Sequence, residues 1–488
     1  MGQDQTSTKK SRLIRTPRKL SVAETYITIA FMLCALIVLY AIVGWDLKIT
    51  LLLVLAFNVF MGWRIGTPFK TMEKYIGDRI GSLGFFMLVL LGIGFLMATC
   101  ICSGTIPVLI SWLVQCVSPS IVLLLCLILP SILSVAVISS FATLGTLGII
   151  MFSVATMCGV PPGLAAAACI CGANFGQYFS PLGDTTNLCA QVNGISIQRF
   201  MKGFSIPFGI SFVITAIVFF ILGNMYVSGS GTGSDIAVIT DWVHANFNTS
   251  VLVLLPFVVA IVLALLKVHA IILIYGTGVT AMILGFTLQG FGVVDCINAA
   301  YNGFSTDIMM PGVEIPEAVS SLLNRGGIYS MADGIVFFLI MLACIAVLDA
   351  IGVFDVLKES MFKKPGTAGV MTLKASICSF VFAIVACETY TTVMLSSEVI
   401  KRPIEAAGYD PTKAANISIA MGQLTSYLCP WSFLAIYMAA ICGVSVLDFA
   451  PYAVLFWILP IVIIVLSFLG IGNKKLQTVK AEVPQGEL

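Results

Sequence analysis

The stretch GQYFSPLGDTTNL, residues 176–188, is a polar island in a chain made mostly of long apolar runs. It carries a carboxylate at Asp184, several hydroxyls and an amide within a few positions. Pro181 and Gly183 interrupt any helix here, because proline removes a backbone donor and glycine loosens the chain. The stretch therefore predicts a broken helix whose freed backbone groups and side-chain oxygens are available to an ion.

The composition places this island inside a membrane protein. Hydrophobic residues make up 59% of the 488 residues and charged residues 10%, with a mean hydropathy of +1.06. A soluble domain is about a quarter charged. Apolar runs of about 18 to 22 residues predict roughly a dozen spans, all of them helical because lipid cannot satisfy backbone groups. The predicted fold class is an all-α polytopic membrane protein.

Several classes of function are disfavoured. The fifteen cysteines lie mostly in apolar runs, and the only histidines, His244 and His269, are far apart. We therefore expect buried thiols and no structural zinc, haem or other cofactor. No phosphate-binding GxxxxGK[ST] loop, nucleophile–base pair or nucleic-acid-binding feature is visible. We expect a protein that is not an enzyme and that draws energy from an ion gradient.

The chain contains an internal repeat at a constant offset of 249 residues. GVPPGLA (159–165) aligns with GYDPTKA (408–414), and GISIQRF (194–200) aligns with GVSVLDF (443–449). Pro181 aligns with Pro430. The predicted organisation is a cytoplasmic tail at 1–23, a first transmembrane repeat at 24–226, a flexible extracellular linker at 227–248, a second repeat at 249–472 and a cytoplasmic tail at 473–488.

Charge predicts that the two repeats have opposite orientations. The N-terminal KKSRLIRTPRK segment, which we interpret as preceding a retained first span and not a signal peptide, should be cytoplasmic. The basic segment 64–79 should also be cytoplasmic, whereas its counterpart at 290–330 is acidic and should be outside. Arg199 and Lys202 are predicted to be cytoplasmic, and Asp448, at the position equivalent to Arg199, is predicted to be outside. Inverted repeats with broken helices and re-entrant hairpins are typical of secondary transporters, which bind their substrates at midplane.

The first break is the predicted cation site. Hard cations such as sodium prefer oxygen ligands, which are supplied here by Asp184, Thr185, Thr186, Asn187 and Ser180, with Asp184, Thr185 and Asn187 as the expected sodium ligands. The alternative is that Asp184 only caps a short helix. Glu388, in AIVACETYTTVML (383–395), is a second expected cation or proton group, because acids within the membrane are costly and are usually functional. A Glu hydrogen-bonded between helices is the alternative there.

The second break, TSYLCPWSFL (425–434), has hydroxyls and aromatic rings but no carboxylate. We expect it to lie on the solute side, with Ser426, Trp431 and Ser432 lining the substrate, although Trp431 could equally sit at the lipid interface. Further breaks rich in hydroxyls add candidate substrate residues, and for CSGTIPVL (102–109) a plain kink is the alternative. These candidates are Ser103, Thr105, Thr143, Thr391 and Thr392.

The motif GANFGQYFSPLGDTTNL (172–188) closely resembles the signature of the NhaC family of sodium/proton antiporters, and SGTIPVLI and SSFATLGTLG also resemble that family. The resemblance covers nearly all of the membrane part. It implies two inverted repeats, elevator-type alternating access in a homodimer, a role for Asn174 of the motif in substrate binding, and a place in the bacterial cytoplasmic membrane with both termini inside. The same superfamily includes sodium-dependent exchangers of organic acids and carriers of amino acids.

Two departures from the family pattern bear on the solute. Gln177 stands where the family has an aspartate, and Gly183 stands where it has a serine. The chain also reads MGQLTSYLCPW (421–431) where many members carry a further carboxylate. We therefore predict an antiporter that couples sodium, protons or both to transport, with a sodium-coupled carrier of a small organic acid or amino acid as the alternative. A channel is a further rival, which the closed, asymmetric site disfavours.

Overall fold

The computed structural model describes residues 18–137, 140–181, 183–227, 233–266, 268–361, 367–386, 389–472 and 475. Within these ranges the chain is helical, apart from turns and one isolated bridge between Tyr409 and Lys475. The prediction of an all-α polytopic membrane protein is confirmed. The described cysteines are buried except for Cys34 and Cys116, as their apolar surroundings predict.

Ten helices precede the middle of the chain: α1 Val22–Cys34, α2 Leu47–Ile65, α3 Phe69–Cys102, α4 Thr105–Cys116, α5 Val122–Val137, α6 Ser140–Thr143, α7 Ile149–Met157, α8 Pro162–Phe179, α9 Asp184–Asn193 and α10 Ile197–Val227. Wider π-helical turns extend α1 over Ala35–Ile42 and join α6 to α7 over Leu144–Gly148. A single 3₁₀ turn, Pro119–Ile121, leads into α5.

The rest of the chain contains α11 Gly233–Asn246, α12 Leu255–Leu265, α13 Ala270–Thr287, α14 Val293–Asn302, α15 Thr306–Met309, α16 Glu317–Leu323, α17 Ile328–Ala350, α18 Val353–Met361, α19 Ala368–Ala386, α20 Thr389–Ala406, α21 Thr412–Ile417, α22 Leu424–Ser426, α23 Phe433–Cys442, α24 Val446–Phe449 and α25 Val454–Phe468. A π-helical stretch, Ser418–Gln423, joins α21 to α22, and 3₁₀ turns cover Val251–Leu254 and Ala450–Tyr452.

The segment predicted as a flexible linker, 227–248, contains a helix. Helix α11 forms there because Ile239, Val243 and Phe247 recur every four residues and are all buried, so that one face of the helix is apolar. Residues 228–232, which include the Gly/Ser-rich part of the linker, lie outside the described residues.

Six of the described helices are long and apolar enough to cross a membrane, and the number rises to nine if each of three sharply bent pairs counts as one span. The α3–α4 pair bends by 69° at Ser103–Gly104, where the sequence predicts an interruption. Gly104 has a φ of +77°, which glycine adopts without strain. Further bent pairs join α11 to α12 and α24 to α25.

The chain divides into two compact units, which we describe separately. Residues 1–87 and 335–363 form unit 1, and residues 88–334 and 364–488 form unit 2. Within unit 1, Arg79 forms an ion pair with Asp349 at 3.2 Å, and Gly62 lies against Met72 and Ile351. Unit 2 contains both predicted breaks.

The repeat found in the sequence is also a repeat of helices. Helix α9 (Asp184–Asn193) and helix α23 (Phe433–Cys442) begin and end at positions 249 residues apart, and so do the segment from α6 to α7 and helix α20. The glycines that end α9 and α23, Gly194 and Gly443, have φ values of +66° and +68°. These two helices therefore end in the same way in both halves, although other helices of the two halves differ in their bounds.

Helix α8 is held in place by close packing against α5. A Cβ atom on Gly172 would lie 2.2 Å from the Leu127 carbonyl oxygen, and one on Gly176 would lie 2.3 Å from that of Ser131. Small residues allow such backbone approach between membrane helices, where van der Waals contact drives association. The C-terminal end of α8, which carries the first break, is thereby anchored.

Candidate functional site

The first break is a tight turn between α8 and α9. Ser180 leaves the helix in an extended conformation, and the Gly183 N–H donates to the Ser180 carbonyl oxygen at 3.1 Å. The side-chain amide of Asn187 donates to the carbonyl oxygens of Pro181 and Gly183, at 3.2 and 2.8 Å. The break is therefore a stable element of the fold, and Asn187 ties it to the first turn of α9.

Asp184 is the first residue of α9, and Gly183 is the N-cap. Glycine has no side chain with which to cap the helix, and a negative residue in the first turn complements the helix dipole. The Asp184 side chain and the whole of Glu388 lie outside the described part of the structure, so their cation-binding roles stay predictions.

The two threonines after Asp184 are both buried and differ in their surroundings. The Thr185 hydroxyl accepts from the Gln177 side-chain amide at 3.4 Å, and the Gln177 amide oxygen accepts from the Ser140 backbone N–H at 3.3 Å. The Thr186 hydroxyl has no hydrogen-bond partner among the described residues. Gln177 therefore connects the break to α6, and Thr186 retains an uncommitted oxygen.

The second break is organised differently. The Ser432 hydroxyl accepts from the Ala435 N–H at 3.2 Å and so caps α23, which its repeat equivalent Gly183 cannot do for α9. The Trp431 ring N–H donates to the Ile384 carbonyl oxygen at 2.9 Å, and the Ser426 hydroxyl donates to the Gln423 carbonyl oxygen at 2.6 Å. All three predicted substrate residues thus support the local fold, and a substrate role for them stays a prediction.

The two breaks meet through a pair of equivalent tyrosines. The hydroxyls of Tyr178 and Tyr427, 249 residues apart and both buried, lie 3.5 Å from each other. The Tyr427 hydroxyl also lies 3.4 Å from the Thr389 hydroxyl and from the Gln423 side-chain amide. The tyrosine pair therefore links equivalent positions of the two repeats and joins the breaks to α20.

Several buried side chains on the helices around the breaks have oxygens without a hydrogen-bond partner within the described chain. They are Ser140, Thr143, Asn174, Thr186, Thr392, Ser396 and Gln423, and further buried polar atoms without a partner occur elsewhere among the described residues. Because buried polar groups are nearly always paired, an ion, a water or a solute suits these oxygens as a partner.

Packing connects these oxygens across the repeats. Helix α20 packs against both α9 and the π-helical stretch 418–423. A Cβ atom on Gly422 would lie 3.0 Å from the Ser396 hydroxyl oxygen, so the backbone of this stretch lies close to α20. Thr392 and Ser396 lie one turn apart on the same face of α20. Predicted residues Thr143, Asn174 and Thr392 are thus on the helices that pack around the breaks.

Ser103 and Thr105 are used differently. Their hydroxyls lie 2.7 Å apart at the α3–α4 bend, and the Thr105 hydroxyl donates to the Val253 carbonyl oxygen at 2.6 Å. Among the described residues, no hydrogen bond links either residue to the α8–α9 break. The hydroxyls of Ser103 and Thr105 therefore bond to backbone groups at the bend and support it.

Thr391, a further predicted substrate residue, is buried on α20 beside Thr392.

The residues predicted from the sequence do not include Gln423, Ser396, Tyr178 or Tyr427. The repeat offset contained a usable signal for three of these four: Asn174 and Gln423 are equivalent positions that both hold buried amides, and Tyr178 and Tyr427 are equivalent tyrosines. Ser396 aligns with Leu147, so the offset gives no signal for it.

Known proteins resemble this chain along most of its length. The model of the "Na+/H+ antiporter family" matches residues 172–471. The "Malate-2H(+)/Na(+)-lactate antiporter" of Bacillus subtilis is 33% identical over 446 residues, which cover 90% of this chain and 93% of that protein. The "Na(+)/H(+) antiporter NhaC" of Alkalihalophilus pseudofirmus is 29% identical, with 94% and 98% covered.

A relative named for a different solute is also similar. The "Arginine/ornithine antiporter ArcD" of Halobacterium salinarum is 27% identical over 456 residues, which cover 92% of each chain. The family model includes the first break, the tyrosine pair and the second break, and the relatives cover nearly the full length. The chain therefore belongs to the Na+/H+ antiporter family, as an NhaC-type membrane transporter.

Proposed function

We propose that this chain is a secondary active transporter that binds sodium at the α8–α9 break and exchanges it for protons or a solute by alternating access. The observation that carries the proposal is the buried Thr186 hydroxyl, which has no partner among the described residues and lies two residues after Asp184. A hard cation needs several oxygens and a nearby negative charge. The break places these groups in the first turn of one helix.

The proposed sodium ligands come from Asp184, Thr185 and Asn187, with Ser180 and Thr186 as neutral neighbours. Asn187 is held at the break by hydrogen bonds from its side-chain amide to the carbonyl oxygens of Pro181 and Gly183. Glu388 is proposed as the second cation or proton group. The hydroxyl of its neighbour in sequence, Thr389, lies 3.4 Å from the Tyr427 hydroxyl, which contacts Tyr178 of the first repeat.

A second candidate is sodium-coupled exchange of a small organic acid or amino acid. Gln177, where the family pattern has a carboxylate, is a neutral amide hydrogen-bonded on both sides, to Ser140 and to Thr185. This position therefore supplies no charge for a second cation. The amide oxygens of Asn174 and Gln423 are buried without donors in the described chain, and they suit a solute that carries hydroxyl or ammonium groups.

The test is flux through the purified full chain in liposomes. We expect a sodium gradient to drive saturable counterflow, and a panel of lithium, malate, lactate and amino acids identifies the solute. Asp184→Asn should abolish the sodium dependence of flux. The matched control is Asp307→Asn, an exposed carboxylate in the loop predicted to be outside, and it should behave as wild type. Normal sodium-driven flux in Asp184→Asn would refute the proposed site, and non-saturable flux would indicate a channel.

A further inference from the structure

A second cavity lies away from the breaks, at the end of the helices that the charge pattern predicts to be cytoplasmic. It has a volume of about 230 Å³ and is bounded by the first turns of α10, the start of α21 and the last turns of α25. None of the residues proposed to bind sodium lines it. We call it the α10–α25 cleft.

One end of the cleft is basic. Arg199, Lys202 and Lys413 line it against a single carboxylate, Asp410. Asp410 is engaged already, because it forms an ion pair with Arg199 and accepts from the Thr412 backbone N–H at 2.8 Å. Lys202 makes no ion pair with any described residue. The cleft therefore has an excess of positive charge that suits an anion.

Lys413 is the unusual member of this group, because its side chain is only 8% exposed. Its ammonium group donates to the Ser467 hydroxyl at 2.6 Å and lies 5.0 Å from the centre of the Tyr409 ring. Lysine side chains are almost never this buried unless they are paired. The fold therefore holds a cation in the wall of the cleft.

A hydrogen-bond acceptor lies beside these cations. The Asn416 side-chain amide donates to the Gly203 carbonyl oxygen at 3.1 Å, and its own oxygen is buried with no partner among the described residues. A ligand that satisfies the cleft thus needs an anionic group for the lysines and a donor, such as a hydroxyl, for Asn416.

The other end of the cleft is apolar and open. Ile206 is 58% exposed and Ile471 is 49% exposed, and Ile463 and Leu466 of α25 continue the same wall. A small soluble anion would occupy the basic end and leave these side chains uncovered. A lipid covers both ends, with its headgroup at the lysines and an acyl chain along the isoleucines.

From these observations we infer that the α10–α25 cleft binds an anionic glycerophospholipid with a hydroxyl-bearing headgroup, such as phosphatidylglycerol. The phosphate oxygens accept from Lys202 and Lys413, and a headgroup hydroxyl donates to Asn416. Basic pockets between membrane helices on the cytoplasmic side recognise anionic headgroups in this way. The inference is independent of the proposed sodium site, since the two share no residue.

The experiment titrates lipid into the full chain purified in a neutral detergent and follows thermal unfolding by tryptophan fluorescence. Phosphatidylglycerol should raise the unfolding midpoint in a saturable way. Phosphatidylcholine with the same acyl chains, and inorganic phosphate, should not. Native mass spectrometry counts the bound lipids independently. An equal response to phosphatidylcholine, or a response to phosphate as large as that to lipid, would overturn the inference.

Substitutions in the α10–α25 cleft test whether the lipid binds there. Lys202→Gln removes one charge-assisted hydrogen bond from an exposed side chain, so the lipid concentration at half-saturation should rise about tenfold. Asn416→Ala should weaken phosphatidylglycerol binding and leave binding of a phosphatidic acid, which lacks the headgroup hydroxyl, unchanged. Lys70→Gln, an exposed lysine predicted to be on the same side, is the matched control and should bind as wild type. Unchanged binding in Lys202→Gln would refute the site.

Discussion

Substituting Thr186 by valine separates a structural role of this residue from a role in binding. The Thr186 hydroxyl is buried and has no partner among the described residues, so the empty fold gains nothing from it. Valine has nearly the same shape and replaces the hydroxyl with a methyl group. If the hydroxyl has a structural role, Thr186→Val should be less stable without sodium and should still respond to sodium. If the hydroxyl binds an ion, the variant should keep its stability without sodium and lose most of the response.

The expected change in the free energy of unfolding follows from the burial of the Thr186 hydroxyl. Leaving a buried hydroxyl unpaired costs about 1–3 kcal/mol in mutational data. Without sodium, Thr186→Val should therefore be at least as stable as wild type, and up to about 1–3 kcal/mol more stable. With sodium at about 100 times its dissociation constant, wild type should gain about 2.7 kcal/mol. If the hydroxyl is a ligand, the variant should lose most of that gain.

The assay is the unfolding midpoint of the full chain in detergent, with and without sodium, at one scan rate, because membrane proteins often unfold irreversibly. The control is Thr277→Val in α13, which also has a buried hydroxyl without a partner in the described chain. It should show the same change without sodium and keep the full sodium response. A Thr186→Val variant that is destabilised without sodium and still responds to sodium would contradict a ligand role for the hydroxyl.

Two further predictions concern the backbone and an ion pair. Gly183→Ser introduces the residue typical of the family, but its Cβ would lie 2.7 Å from the Gln177 carbonyl oxygen. Overpacking should lower the stability of this variant by about 1–3 kcal/mol. The control is Gly209→Ser, where a Cβ meets no atom within 4 Å, and it should lose less than 1 kcal/mol of stability. Thermal unfolding of the two variants measures the difference. Burial raises the pKa of Asp410, but hydrogen bonds from Thr412 and the Arg199 ion pair outweigh it, so the net pKa is lowered. The ionised Asp410 therefore stabilises the fold above its unfolded pKa of about 3.9, and this stabilisation is lost as the pH falls below that value. Between pH 5 and pH 3, the unfolding midpoint of Asp410→Asn should therefore fall less steeply than that of wild type.

Much of the fold was predictable because its determinants are local. Pro181 and Gly183 close together predicted a break in the helix, and the structure ends α8 at Phe179 and starts α9 at Asp184. The constant offset of 249 relates the second break to the first, and the boundaries of α9 and α23 follow it. The bend at Ser103 was likewise predicted from a Gly/Pro interruption, and it is a 69° bend.

The roles of individual side chains at the site were harder to predict. Ser432 and Gly183 are equivalent positions, yet only the serine caps its helix, and Trp431 is tied to a backbone carbonyl 47 residues away. Gln177 reads in the sequence as a lost carboxylate, whereas in the fold it bridges α6 and α9. These partners lie on other helices, so spacing along the chain does not reveal them.

The class of protein, the positions of the breaks and the repeat could be predicted from the chain alone, because composition, proline and glycine act locally on the backbone. The contact of Tyr178 with Tyr427, the Thr186 oxygen without a partner among the described residues and the burial of Lys413 beside Ser467 emerge only in the folded protein. Each of these depends on the packing of helices far apart in the chain, which sets burial and hydrogen-bond partners together.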